Sequence, residues 1–133
     1  MTRSVRTLPV ETTASEVARL FVEADIGSAV VLAPETGEPL GIVTESDIIQ
    51  QVAAGASIES VRVDSFMTTP LVTTTSTEGI HTAAGLMKEH SIRRLPVIDD
   101  GDLVGILTTT DLTHYLPRLR KTILRGRHEL AGH

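Results

Sequence analysis

The chain has 133 residues, a formal net charge of −5, 41% hydrophobic and 2% aromatic residues, and no cysteine. These values fit one small domain, or two very small halves sharing an aliphatic core, and they exclude disulfides, thiolate metal sites and cysteine nucleophiles. They also argue against nucleic acid, whose phosphates an acidic body repels and whose bases need aromatic platforms, and no apolar run approaches the roughly 18 residues of a membrane span.

In chain order, a short extended segment (residues 5–8) leads to a helix in which Ala14, Val17, Ala18 and Phe21 form one apolar stripe. Thr13-x-x-Glu16 reads as its capping box. Two apolar runs follow, AVVLA and LGIVT, separated by turn residues, so they read as a hairpin. A second helix, DIIQQVAAG, ends at Gly55. The plan then recurs. Residues 72–74 are extended, Ile80, Ala83, Ala84 and Met87 make a helical stripe, and Thr75-x-x-Glu78 reads as a second capping box. LPVID and LVGILT form a second hairpin, and DLTHYL a last helix before Pro117. The strands are continuously apolar, as strands buried on both faces are. The expected fold class is α/β (α+β): tandem β-α-β-β-α repeats, with small three-stranded sheets packed with helices. The expected divisions are 1–60, 61–117 and a basic tail, 118–133.

The two units match residue by residue. Gly41, Thr44 and Asp47 stand 64 positions before Gly105, Thr108 and Asp111, whereas Ala18, Leu20 and Ile26 stand 66 before Ala84, Leu86 and Ile92. Even Met1-Thr2 matches Met67-Thr68. The offset changes because APETGEP is longer than IDDGD, and a two-residue change in a turn is well tolerated. Two copies of one unit therefore fill the chain.

GIVTESDI and GILTTTDL, with HSIRRLPVIDDGDLV before the second, resemble the cystathionine-β-synthase (CBS) domain, and two such units resemble a Bateman module. The likeness covers about residues 1–116 and is weaker where IGSAVVL stands in place of IRRLPVI. It implies pseudo-two-fold symmetry between the units and a regulatory, non-enzymatic role. It also implies a homodimer, and an adenosyl ligand (AMP, ADP, ATP or S-adenosylmethionine) whose occupancy is passed to a partner protein. No further cofactor is implied.

On that resemblance Asp47 and Asp111 would each accept from both hydroxyls of a ribose, in charge-assisted bonds. Thr44 and Thr108 would add hydroxyls to the ribose or phosphate. Arg93 and Arg94 would meet phosphate, although strand alternation lets only one face the ligand directly. Ile26 and Ile92 would wall the adenine. In the first unit Gly27 and Ser28 replace the two arginines, so the Asp111 site is expected to hold a nucleotide more tightly, and the Asp47 site to be weaker, empty or suited to a less anionic adenosyl ligand. Thr-x-x-Asp is also an ordinary helix start, with Asp or Ser46 as N-cap. Vestigial sites in a structural scaffold are thus the competing expectation. His81, His90, His114, His128 and His133 show no metal spacing, and no nucleophile-elbow context is present. The N-terminal MTRSVRTLPVETT lacks a signal-type apolar stretch, and the expected location is the cytoplasm. Arg118, Arg120, Lys121, Arg125 and Arg127 make the tail basic, and it reads as a solvated helix packing Ile123, Leu124 and Leu130.

Overall fold

The computed structural model describes residues 5–115; the basic tail 118–133 and the Met1-Thr2 end of the repeat lie outside them. The first unit opens with β1 (Thr7–Pro9) and α1 (Ala14–Ala24), followed by β2 (Ser28–Leu32), β3 (Pro39–Thr44) and α2 (Glu45–Ala53). The strands lie in the order β1-β2-β3. β1 runs parallel to β2, and β2 antiparallel to β3. Val17 and Phe21 from α1 meet Leu8, Ala29, Val31 and Val43 from the sheet, and this cluster forms the unit's core. Val17, Val31 and Val43 are wholly buried, each contributing about 1.5–3 kcal/mol by leaving water.

α1 starts where its sequence dictates. Thr13 Oγ1 accepts from Glu16 N (3.3 Å) and Glu16 Oε1 accepts from Thr13 N (3.1 Å), so the capping box is complete. Those bonds hold the Glu16 carboxyl below the usual glutamate value. The next amides are taken by the chain beyond α2: Ala14 N donates to Val61 O (3.0 Å) and Ser15 N to Ile58 O (2.9 Å). Val63 N donates to Thr12 O (2.7 Å), and Thr68 pairs with Ile42 at the open edge of β3. These ties draw residues 61–68 onto the first unit. By contact, the chain divides into two compact units between Leu71 and Val72.

The second unit contains α3 (Ile80–His90), β4 (Arg94–Asp99), β5 (Asp102–Thr108) and α4 (Thr109–Tyr115). Leu95, Val97 and Leu107 pack against Ala83 and Met87 of α3 and Leu112 of α4. Its register repeats that of the first unit: Leu8 faces Val31 as Thr74 faces Val97, and Val31 faces Gly41 as Val97 faces Gly105.

Two expectations need correction. The third strand of the second unit shrinks to the single parallel bridge Thr74–Val97. In the first unit Val30 N donates to Arg6 O (3.0 Å). Pro96 occupies the matching place and has no N–H, so the ladder loses that rung. The Thr75-x-x-Glu78 capping box does not form either. α3 begins at Ile80 with Gly79 as N-cap, which has no side chain to offer. Ser76 is held instead by Asp99, through Ser76 N to Oδ1 (2.9 Å) and a short bond from its hydroxyl to Oδ2. The true counterpart of Thr13, 66 residues on, is Gly79.

Candidate functional site

Each candidate site is built where the last strand of a hairpin becomes a helix. In the first unit Thr44 is the N-cap of α2, rather than Ser46 or Asp47. Its hydroxyl accepts from Asp47 N (3.4 Å), while Asp47 Oδ2 accepts from Thr44 N (2.9 Å) and from Thr44 Oγ1 (3.2 Å). In the second unit Thr108 Oγ1 accepts from Asp111 N (3.1 Å), and Asp111 Oδ2 accepts from Thr108 N (2.8 Å). Both carboxylates are thereby fixed by a capping box. At each corner the first helical amide is also taken, Glu45 N by Gly27 O and Thr109 N by Arg93 O, both at 3.1 Å. Asp47, Asp111, Thr44 and Thr108 are all half-buried.

The strand register places the phosphate candidates. Arg94 faces Thr108 across β4 and β5, and Ser28 faces Thr44 across β2 and β3. Facing residues of an antiparallel pair project from one side of the sheet, with Cβ atoms roughly 4.5–5.5 Å apart. Leu95, Val97 and Leu107 occupy the side covered by the unit's own helices, so by alternation Arg94 and Thr108 rise from the other side. Arg94 is half-buried there, and Arg93, one residue earlier, is exposed. Among the described residues neither guanidinium has a salt-bridge partner. Ile26 and Ile92 are partly buried, each packed against the core of its own unit.

Gly41 has a structural task that its place in the motif did not signal. A Cβ there would lie 2.8 Å from Thr68 O and 2.9 Å from Thr69 Cγ2. The close approach it permits is therefore that of the protein's own residues 67–69. Among the described residues, no group of three or more His, Asp or Glu side chains gathers in metal-binding fashion. No helix of the described residues is long and apolar enough to cross a membrane.

The family model for the CBS domain matches residues 1–54 and again 63–118. The chain belongs to the CBS domain family. Its two units are CBS repeats, and the corner from the last strand to the last helix of each carries the Thr-x-x-Asp box. The CBS pair is 40% identical over 117 residues to the uncharacterized protein MK0525 of Methanopyrus kandleri, spanning 86% of this chain and 59% of that one. It is 32% identical over 119 residues to a homoserine O-acetyltransferase of Methanosphaerula palustris, of which it spans only 23%. Among solved structures it resembles the CBS domain protein PAE2072 of Pyrobaculum aerophilum, determined in complex with AMP. That match has a TM-score of 0.76 and 31% identity, covering 84% of this chain and 85% of the other.

Proposed function

We propose that this CBS pair is a non-enzymatic sensor of an adenosine-containing ligand (AMP, ADP, ATP or S-adenosylmethionine), working in the cytoplasm. The ribose hydroxyls are held by Asp111 and Asp47 with Thr108 and Thr44, phosphate by Arg94 aided by Arg93, and adenine against Ile92 or Ile26. The observation that carries the reading is Arg94, half-buried across from Thr108 beside a pinned carboxylate. Oδ2 of Asp47 already accepts both bonds from Thr44, so the group is oriented before any ligand arrives, and no ordering cost falls on binding. The AMP complex of the P. aerophilum relative supports the choice of ligand class. Occupancy is passed to a separate or attached partner protein, as the appearance of a similar module within a much longer acetyltransferase suggests. A homodimer supplies a further partner surface: Ile49 and Val52, one turn apart on α2, are 66% and 58% exposed, and Val22 on the neighbouring α1 is 81% exposed.

The capping boxes also favour a second reading. They start α2 and α4 without any ligand, as a scaffold with vestigial sites would require. Asp111→Asn separates the two. Asparagine Oδ1 still accepts from Thr108 N and keeps the cap, but it loses the charge that grips a diol. Titration calorimetry with AMP, ATP and S-adenosylmethionine at one stated salt concentration is expected to show binding to the wild type. That binding is expected to fall by roughly ten- to a hundredfold in Asp111→Asn, with little change in thermal midpoint. If no ligand binds the wild type, the scaffold reading stands.

A further inference from the structure

The two CBS repeats bring the same backbone corner to a ligand with opposite charge. Around Asp111 the register places Arg94 across from Thr108, and Arg93 O accepts from Thr109 N. The corner therefore sets one carboxylate beside the half-buried Arg94, with the exposed Arg93 next to it in the chain. Around Asp47 the same bonds join different residues: Ser28 is across from Thr44, and Gly27 O accepts from Glu45 N. The position that is Thr109 in the second repeat is Glu45 in the first, and it opens the first turn of α2 together with Asp47. That corner has the Asp47 carboxylate, with the exposed Glu45 two residues before it, and among the described residues no cation stands at the places of Arg93 and Arg94. The difference lies at matching places in one backbone, so it is a property of side chains alone.

Resting on the adenosyl reading above, we propose that the repeats divide ligands by the charge of the 5′ substituent. The Asp111 corner takes an adenosine bearing an anionic 5′ phosphate. The Asp47 corner rejects phosphate and takes an adenosine whose 5′ group is neutral or positively charged. Arg94 and Glu45 are the specificity-determining residues. Ribose is read the same way at both corners, because the capping boxes present Asp47 and Asp111 alike. The 5′ substituent then meets either guanidinium groups, which form charge-assisted bonds to phosphate, or Glu45, which repels it. Like charges placed together are a strong means of refusing a wrong partner.

The test compares AMP with 5′-amino-5′-deoxyadenosine, which keeps the base and ribose and replaces the anion with a cation. Calorimetry on the full chain should find one AMP per chain, removed by Asp111→Asn, and one aminonucleoside per chain, removed by Asp47→Asn. Arg94→Ser should weaken AMP by roughly ten- to a hundredfold, the worth of one charged hydrogen bond. The double variant Ser28→Arg/Glu45→Thr should gain a second AMP site. Two equal AMP sites in the wild type would overturn the division while leaving the sensor reading in place, as would AMP binding that depends on Asp47. The same holds if the double variant, folded by circular dichroism, still binds one AMP. If neither probe binds the wild type, the sensor reading and the division fall together.

Discussion

Replacing Gly41 by alanine tests whether the first repeat owns the segment beyond α2. The added methyl would sit 2.8 Å from Thr68 O, 2.9 Å from Thr69 Cγ2 and 3.0 Å from Met67 Sδ. The methionine and threonine tips can yield, but the Thr68 carbonyl cannot move freely. It accepts from Ile42 N (3.2 Å), while Thr68 N donates to Ile42 O (2.8 Å). Overpacking of this kind costs about 1–3 kcal/mol, and each strained backbone bond risks about 1 kcal/mol more. Lowering the freedom of the unfolded chain offsets about 0.5–1 kcal/mol. The net expectation is a loss of about 2 kcal/mol, which for a chain of this size is a fall of roughly 6–10 °C in thermal midpoint. Gly85 on α3 is the control, since a Cβ there meets nothing within 4 Å. Gly85→Ala should gain about 0.5–1 kcal/mol from helix propensity. Urea titrations followed by circular dichroism measure both. A Gly41→Ala protein as stable as the wild type would refute the assignment of residues 67–69 to the edge of β3.

The remaining predictions concern the two helix starts that differ most between the repeats. Thr13→Ala removes the acceptor for Glu16 N and should destabilise the protein by about 1 kcal/mol in the same titrations; Gly79→Ser at the uncapped start of α3 should gain a few tenths of a kcal/mol. The two bonds from Ser76 hold the Asp99 carboxyl below the ordinary aspartate value of 3.8. A depressed folded-state value means that the tie stabilises at neutral pH. Its contribution fades as pH drops from the unfolded value through the lower folded one. Wild type and Asp99→Asn should therefore differ at pH 7 in hydrogen exchange of residues 75–79, and should converge in acid. A difference that persists unchanged to the lowest pH would remove Asp99 as the anchor of that loop.

Much of the fold could be read from the repeat, because periodicity and offset are both local. The 66-residue offset carries the Leu8–Val31 pairing into Thr74–Val97, and the change to 64 falls in the hairpin turn. The positions that escaped are those where one side chain overrides the shared plan. Pro96 removes a donor that Val30 supplies, so one strand thins to a bridge. Gly79 holds the place of Thr13, so the apparent box four residues earlier goes unused, and the offset itself was the signal that could have found this. The task of Gly41 stayed hidden because no sequence pattern reveals that residues 67–69 return to that strand.

The repeated Thr-x-x-Asp is ambiguous for a physical reason. A capping box and a ribose clamp ask for the same hydroxyl, the same carboxylate and the same spacing, so finding the box formed at both corners cannot separate them. The neighbours can. A cap needs nothing from the facing strand, and Ser28 does as well across from Thr44 as Arg94 does across from Thr108. A half-buried arginine without an ion-pair partner among the described residues costs desolvation and side-chain entropy, and the cap gains nothing from it. An anion delivered next to Asp111 would repay that placement, so the proposed ligand reading rests more on Arg94 than on the aspartates that drew attention to the site.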